Sequence, residues 1–279
     1  MTSELGQTQT LASAAPSRTD DPVLEFRDIG VRFSGRGETF TAVEHLNLDV
    51  QPGQFVCVVG PSGCGKSTLL NMAAGILTPS NGTVKYNGAL ITQPNTAVGY
   101  ITQKDNLLPW RSVFRNIALP LELRGVPKDE VKARVQKIID LVGLSGFEKS
   151  YPRELSGGMR KRVGVARTLI YEPEALLADE PFGALDSQLK TVLQGELTQI
   201  WERTRATVLF VTHDIGEAIA LGDRVIVMSS RPGRIILDKL IDIPRPRDVF
   251  KVRFEPRYAE IHEELWDALR SEVETVGAK

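Results

Sequence analysis

The residue types best suited to chemistry lie in a glycine-rich run, Gly60–Ser67, which fits the pattern G-x-x-x-x-G-K-[ST]. Glycines let the backbone curl so that successive N–H groups point at phosphate oxygens, and the following helix directs its positive N-terminus at the same anion. In this pattern Lys66 reaches the β- and γ-phosphates, and the Ser67 hydroxyl ligates Mg²⁺. The run therefore predicts a nucleotide-binding loop.

A second candidate for chemistry is an adjacent acid pair, Asp179 and Glu180, which ends the apolar run from Ala175. A carboxylate at the carboxyl end of a strand can hold the water shell of Mg²⁺ near a phosphate loop. The next acid can orient and deprotonate the attacking water. We therefore expect Asp179 in the metal site and Glu180 as the general base of nucleotide hydrolysis.

The elements that must position these residues alternate between apolar strands and helices. Short apolar runs precede Gly60, Asp179 and His213, and helical patterns follow the first of them. This alternation predicts an α/β fold with a mostly parallel sheet. Residues from about 106 to 160 are mostly helical in pattern, so we expect a helical subdomain inserted between two nucleotide motifs.

Composition places the chain among ordinary globular proteins. It has 279 residues, 42% hydrophobic and 25% charged, and 34 basic against 35 acidic side chains give a net charge of −1. The balance argues against a strongly basic nucleic-acid surface, and two cysteines are too few for a disulfide scaffold. Residues 1–21 lack a secretory signal and predict a disordered leader. No apolar run approaches the roughly 18 residues that cross a bilayer.

A third motif, Leu155–Met159 (LSGGM), lies at the start of a helical stretch. With this motif the sequence resembles the ATP-binding cassette (ABC) ATPases of membrane transporters. The resemblance covers about residues 23–246. Its motifs occur in family order: the phosphate loop, Gln103 (Q-loop), Leu155–Met159 (signature), Asp179 with Glu180, Ala184–Asp186 (D-loop) and His213 (switch histidine). It implies a P-loop NTPase fold with a mostly parallel sheet, an antiparallel β subdomain and an inserted helical subdomain. The implied ABC ATPase domain spans residues 22–246.

The resemblance also implies a site for ATP and Mg²⁺ that two cassettes share. In the family they face each other head to tail, and each ATP lies between the phosphate loop of one and the signature of the other. The implied catalytic residues are Glu180, His213, Gln103 and Lys66, and the implied metal-site residues are Ser67, Gln103 and Asp179. The implied nucleotide contacts are Phe33, Gly60, Pro61, Ser62, Gly63, Cys64, Gly65, Lys66, Ser67, Thr68, Ser156, Gly157, Gly158 and Asp186.

Two positions differ from the family pattern or leave a choice: the aromatic that stacks on adenine and the last residue of the signature. Phe33 has the spacing of the ring that stacks on adenine, with Phe40 as its competitor. Met159 ends the signature where the family often has Gln, but Ser156 and the glycine N–H groups that would face phosphate are intact. We therefore expect the signature to work.

Local stretches resemble the importers of the nitrate/sulfonate/taurine group: Gln103–Val113, Ser229–Arg234 and Ile243–Arg247. Trp110, after the Q-loop, is either an apolar anchor for a permease or a partly buried core aromatic. The implied protein is the ATPase subunit of a bacterial importer of a small anion or organic solute. It would lie at the cytoplasmic face of the inner membrane, as a homodimer or paired with another cassette. Its implied partners are two transmembrane permease subunits and an extracytoplasmic solute-binding protein.

Two other functions stay open. One is a cassette ATPase of a lipid-trafficking or export system. The other is a non-transport cassette associated with nucleic acid, although the neutral charge and the short segment between Gln103 and the signature argue against nucleic-acid binding.

Residues 247–279 predict a Pro- and Arg-rich linker followed by an amphipathic helix. We expect the apolar face of this helix to pack back on the domain. Its members are Tyr258, Ile261, Leu265, Leu269 and Val273.

Overall fold

The computed structural model describes residues 21–35, 38–183 and 187–277. The strands of this part of the chain are β1 (Leu24–Gly35), β2 (Glu38–Val50), β3 (Phe55–Val59), β4 (Asn81–Tyr86), β5 (Ala89–Leu90), β6 (Val98–Ile101), β7 (Ala175–Asp179), β8 (Thr207–Val211), β9 (Arg224–Met228) and β10 (Ile235–Leu240). The α-helices are α1 (Lys66–Ala73), α2 (Val113–Leu123), α3 (Lys128–Leu141), α4 (Gly157–Leu169), α5 (Ser187–Thr204), α6 (Ile215–Leu221) and α7 (Pro256–Gly277).

The larger of two sheets has the order β10-β9-β3-β8-β7-β6 and is parallel except for the antiparallel pair β10–β9. Every residue of β3, β7 and β8 is buried. Their continuous apolar sequence suits this position, because a parallel strand in an α/β protein is covered on both faces. The predicted α/β fold with a mostly parallel sheet is confirmed.

The smaller sheet is antiparallel, in the order β2-β1-β4-β5. Alternate residues of its strands are buried, among them Leu24 and Phe26 on β1 and Leu46 and Leu48 on β2. This period of two gives the sheet one apolar face. That face shares a core with α1 and with the side of β3 that carries Val56 and Val58. The smaller sheet is the antiparallel subdomain that the family resemblance implied.

Helices α2 and α3 and the start of α4 lie within the stretch predicted as helical. On α3 the buried side chains are Val131, Val135, Ile138 and Ile139, which recur at helical spacing. They share a core with Ile117 of α2. Helix α4 packs on α2 and also on β6, so it joins the helices to the larger sheet.

The segment predicted as a linker is packed against the domain. Arg247 is 7% exposed, and its guanidinium donates to the carbonyls of Ile219, Gly222, Ile241 and Ile243. A buried guanidinium needs hydrogen-bond acceptors such as these carbonyls. The Pro- and Arg-rich composition of the segment does not show that such acceptors surround Arg247, so it predicted a linker.

Helix α7 has the predicted apolar face. Ile261, Leu265 and Leu269 are buried, Tyr258 is partly buried, and the side chain of Val273 lies outside the described residues. The helix contacts α6, β9 and β10, which confirms that it packs back on the domain. The predicted leader, apart from Asp21, also lies outside the described residues. Within the described ranges, the helices are too short or too polar for any to traverse a bilayer.

Candidate functional site

The predicted catalytic residues meet at one edge of the larger sheet. Strands β3, β8, β7 and β6 are neighbours and run parallel, so their carboxyl ends share this edge. The segments that follow these strands carry, in sheet order, Gly60, His213, Glu180 and Gln103. The carboxyl edge of a parallel sheet is where α/β proteins place their ligands.

The phosphate loop, Gly60–Ser67, joins β3 to α1 in the strand–loop–helix order that its pattern requires. Gly65 has φ +106°, in the left-handed region that L side chains rarely adopt. A Cβ at this position would also lie 2.5 Å from Cγ2 of Val43. Both the backbone conformation and the available space therefore require glycine here.

Lys66 holds the phosphate loop closed from within. Its side chain is buried, and Nζ donates to the carbonyl oxygens of Gly60 at 2.7 Å and Pro61 at 2.8 Å. An ammonium has three donors, and the remaining one has only the Cys64 sulfur at 3.9 Å. One strong donor is thus available to an anion that enters the loop.

Ser67 and Asp179 form an oxygen pair beside the loop. The Ser67 hydroxyl donates to Asp179 Oδ1 over 3.0 Å. Burial raises the pKa of Asp179 above its ordinary value, and the bond from Ser67 opposes this rise. Hydroxyl and carboxylate oxygens are ligands that suit Mg²⁺. The described residues contain no cluster of three or more His, Cys, Asp or Glu able to hold a metal.

Glu180 is held from two sides. Its N–H donates to the Val211 carbonyl over 2.9 Å, and its φ of +45° turns the backbone sharply at the end of β7. Gln103 Nε2 donates to Oε2 over 3.3 Å, and His213 Nδ1 lies 3.4 Å from Oε1. Each carboxylate oxygen has a second lone pair, so a carboxylate held in this way can still accept a proton from a nearby water, as a general base does.

Sequence reasoning missed Lys161, which holds the Q-loop backbone. Its buried ammonium donates to the carbonyls of Thr102 at 2.8 Å and Gln103 at 2.6 Å. Burial lowers the pKa of Lys161, and nearby carboxylates oppose this shift. Helical spacing carried a signal, since Lys161 shares the face of α4 with buried Val165 and Thr168.

A second missed group is an ion-pair network beside the switch histidine. Lys190 on α5 donates to Asp214 over 2.7 Å and lies 3.6 Å from buried Glu217. Burial alone would raise the pKa of Asp214, but Lys190 and the backbone N–H of Glu217 together lower it below its ordinary value. Asp214 follows His213 directly and caps α6, so the network fixes the backbone that carries the histidine.

The signature residues form the start of helix α4. Ser156 is the N-cap of α4, and its hydroxyl accepts from the Met159 N–H over 3.2 Å. Gly157 and Gly158 form the first turn, and the Met159 side chain packs against the larger core. Helix α4 packs on α2, α3 and β6, and its Lys161 donates to the backbone of the Q-loop at the sheet edge. The predicted D-loop contact, Asp186, lies outside the described residues.

The two candidates for adenine stacking are neighbours. The ring centroids of Phe33 and Phe40 are 5.6 Å apart. Phe33 is half-buried against the core of the smaller sheet, and Phe40 is exposed. The structure therefore gives one aromatic surface, which we call the aromatic pair.

Trp110 is 72% exposed, so its interpretation as a core aromatic is wrong. The loop that carries it is nevertheless well held. Buried Asn116 donates to the carbonyls of Leu108 at 3.1 Å and Arg111 at 2.9 Å, and accepts from the Leu108 N–H at 2.8 Å. Trp110 is therefore accessible to a partner, and tryptophan is enriched among the residues that contribute most to binding at protein interfaces.

Comparisons with known proteins agree with this geometry. The sequence profile described as "ABC transporter" matches residues 43–183, half of the 279-residue chain. The taurine import ATP-binding protein of Rhizobium johnstonii is 44% identical over 254 residues, 89% of this chain and 97% of the relative. The nitrate import ATP-binding protein of Synechocystis is 40% identical over 252 residues, 88% of this chain and 95% of the relative.

A solved dimeric structure of an ATP-binding cassette in a post-hydrolysis state, bound to ADP and Pi, has the same fold. It superposes with a TM-score of 0.72 at 28% identity, covering 79% of this chain and 100% of that one. Together with the profile and the two import proteins, it shows that the chain belongs to the ABC transporter family, as one of its ATP-binding proteins.

Proposed function

We propose that this chain is the ATP-hydrolysing subunit of a bacterial ABC importer for a small anion or organic solute. The observation that carries the proposal is the meeting of the phosphate loop, Glu180, Gln103 and His213 at one edge of the sheet. The names of the taurine and nitrate import relatives support the importer class.

In the proposed reaction the phosphate loop holds the β- and γ-phosphates, and the free donor of Lys66 neutralises part of their charge. Glu180 accepts the proton of the water that attacks the γ-phosphate. Gln103 and His213 keep the two carboxylate oxygens in place, so the base does not have to be ordered at each turnover. Lys161 in turn fixes the backbone of Gln103.

The oxygen pair of Ser67 and Asp179 fits Mg²⁺, and Gln103 lies on the adjoining loop. A bound Mg²⁺ would stabilise negative charge on the phosphates. Asp179 is the residue we expect to hold its water shell, while Ser67 supplies the protein ligand.

The signature at the start of α4 is the basis of a two-cassette arrangement, because in the resembled family it binds the ATP of the opposite cassette. Ser156 and the N–H groups of Gly157 and Gly158 form a helix start that suits an anion. We expect them to bind the ATP held by a second cassette, head to tail. The solved relative named as dimeric is consistent with this arrangement.

We place the dimer at the cytoplasmic face of the membrane, bound to two permease subunits. A solute-binding protein delivers the solute to these subunits from the other side. Trp110 is the apolar anchor of the proposed permease contact, because it is exposed on a loop that Asn116 holds fixed.

The experiment that tests the proposal is solute uptake in the native host with the Glu180→Gln variant. Labelled nitrate, taurine, alkanesulfonates, phthalate-like acids and pyrimidine precursors would be compared one by one. We expect the variant to lose uptake of one compound, since that compound depends on ATP hydrolysis by this subunit.

The matched control is Glu263→Gln, the same change at an exposed position on α7. It should leave uptake at the wild-type level. If the expressed Glu180→Gln variant imports every compound normally, the assignment to the nitrate/sulfonate/taurine group is contradicted, and the lipid-trafficking, export and non-transport functions gain support.

A further inference from the structure

The segment Ser229–Arg234, which we call the arginine loop, leaves the same sheet edge as the catalytic residues. It joins β9 to β10, and β9 runs parallel to β3, so the arginine loop begins beside the phosphate loop. It is closed on itself, because the Ser229 N–H donates to the Arg234 carbonyl over 2.9 Å and the Arg234 N–H donates to Ser229 Oγ over 3.0 Å. A loop closed in this way presents its side chains in a fixed direction.

The arginine loop is packed between β2 and the phosphate loop. The Gly233 N–H donates to the Ala42 carbonyl over 2.9 Å, and the Gly233 carbonyl accepts from the Glu44 N–H over 3.1 Å. A Cβ at Gly233 would lie 2.0 Å from the carbonyl oxygen of Cys64, so no other residue allows this approach. The backbone of the arginine loop thus lies directly against the phosphate loop.

Arg231 connects the phosphate loop with the aromatic pair. Its guanidinium carbon lies 4.5 Å from the centroid of Phe40, within the range of a cation–π contact. The same guanidinium donates through Nη2 to the Gly63 carbonyl over 3.3 Å. Phe40 in turn packs on Phe33. The Arg231 side chain therefore connects the phosphate loop, where the phosphates would bind, with the aromatic pair, where the base would stack.

Helix α7 holds the residue that precedes Arg231. The Glu272 carboxylate accepts from the Ser230 N–H at 2.7 Å and from the Ser230 hydroxyl at 2.8 Å. Hydrogen bonds to an ionised carboxylate are stronger than those between neutral groups. The C-terminal helix is thereby tied to the arginine loop one residue away from the guanidinium.

We propose that Arg231 is a positioning residue for the purine base of the nucleotide, and that Glu272 of the C-terminal helix keeps it in place. Arg231 holds the aromatic pair at a set distance from the phosphate loop, so that a nucleoside triphosphate meets both at once. This role rests on the proposed binding of ATP at the site. It makes the C-terminal helix a part of the nucleotide pocket.

The test is the binding and turnover of Mg-ATP by the full-length chain with Arg231→Ala. Loss of a cation–π contact and a hydrogen bond predicts a rise of about 5-fold in KM for ATP and in Kd for Mg-ADP. The kcat should change by less than about 2-fold, because the contact is the same in ground and transition states. Inhibition by inorganic tripolyphosphate, which has no base, should be unaffected.

Arg231→Lys separates stacking from charge, since lysine keeps the charge but not the planar guanidinium. It should recover only part of the affinity. Glu272→Gln should weaken ATP binding in the same direction, and its effect should largely vanish when Arg231 is already alanine. The control is Arg234→Ala, in the same loop but paired with Glu44 of β2, which should leave KM unchanged.

Unchanged KM and Kd in Arg231→Ala would overturn the proposal, as would an equal loss for tripolyphosphate and ATP. Equal effects of Arg231→Ala and Arg234→Ala would also overturn it, because they would indicate general damage to the loop. A wild-type chain that neither binds nor hydrolyses ATP would instead contradict the proposed function.

Discussion

At the scale of single residues, the proposed chemistry depends on side chains whose partners restrict them. Glu180 has a partner on each oxygen, and Gln103 is one of these partners. Gln103 is itself exposed, so its position depends on its backbone, which Lys161 holds through two carbonyls. Lys161 therefore acts on the base through Gln103, without touching the nucleotide.

Lys161→Met tests this dependence. Methionine fills a similar volume but cannot donate, so the carbonyls of Thr102 and Gln103 lose a buried partner. We expect the free energy of unfolding to fall by about 2 kcal/mol. We also expect kcat to fall more than KM rises, since Gln103 would no longer hold Glu180. Urea unfolding and steady-state ATPase assays measure the two effects.

The matched control is Lys137→Met, the same change at an exposed position on α3. It should alter neither stability nor kcat. If Lys161→Met is destabilised but keeps its kcat, Lys161 is important for folding alone.

At the scale of elements, helices α5 and α6 are joined by the network of Lys190, Asp214 and Glu217. The position of His213 depends on this contact, because Asp214 is both the next residue and the N-cap of α6. Because the pKa of Asp214 is lowered in the folded protein, the stability that this network contributes depends on pH.

Lys190→Met should weaken the molecule in a pH-dependent way. An acid whose folded pKa is lowered adds stability above its unfolded pKa, and this stability is lost as the pH falls through the folded value. Removing Lys190 lets the pKa of Asp214 rise, so the variant should unfold at a lower temperature near pH 7. The difference should shrink below about pH 4, where Asp214 is protonated in the unfolded chain. Thermal unfolding between pH 3 and pH 8 measures it.

The comparison variant is Lys132→Met, on the exposed face of α3. Its unfolding temperature should follow wild type at every pH. A constant difference between Lys190→Met and wild type across the whole pH range would contradict the role of Asp214.

Much at this scale follows from the sequence, but not all of it. Strands β3, β7 and β8 are continuous apolar runs, and the buried face of α3 has a clear helical period, so both patterns predicted their elements. Strand β6 has only four residues, which is too short to show an alternating pattern. Helix α2 contains Pro120, which is unusual inside a helix, so its sequence did not mark it clearly as one. The contacts of Lys161, Lys190 and Arg231 join distant parts of the chain and required the tertiary structure.

At the scale of the whole molecule, the C-terminal segment is part of the ATPase domain's packing. Arg247 joins the end of α6 to the segment after β10 through four carbonyls. Burial lowers the pKa of Arg247 to about 10, and Arg245 adds to this shift, so the guanidinium is still charged at neutral pH. The chain continues from Arg247 to α7, which begins at Pro256 and holds the arginine loop through Glu272.

Arg247→Met should therefore affect both stability and nucleotide binding. Four buried carbonyls lose their donor, and we expect the free energy of unfolding to fall by about 3 kcal/mol. The displaced segment should also weaken ATP binding through α7. Urea unfolding and Mg-ADP titration measure the two.

Arg257→Met serves as its control, because Arg257 makes only exposed ion pairs with Asp242 and Glu260. Its unfolding curve should stay close to wild type. If the two variants unfold alike, the buried contacts of Arg247 do not carry the stability assigned to them.

The proposed mechanism depends most on Glu180, as the base of ATP hydrolysis in a site shared by two cassettes. The most direct measurement compares ATP turnover and ATP-dependent dimer formation in wild type and Glu180→Gln. We expect the variant to bind ATP, to stay dimeric while ATP is present and to hydrolyse it at least about 100-fold more slowly. Turnover near the wild-type rate would show that Glu180 is not the base.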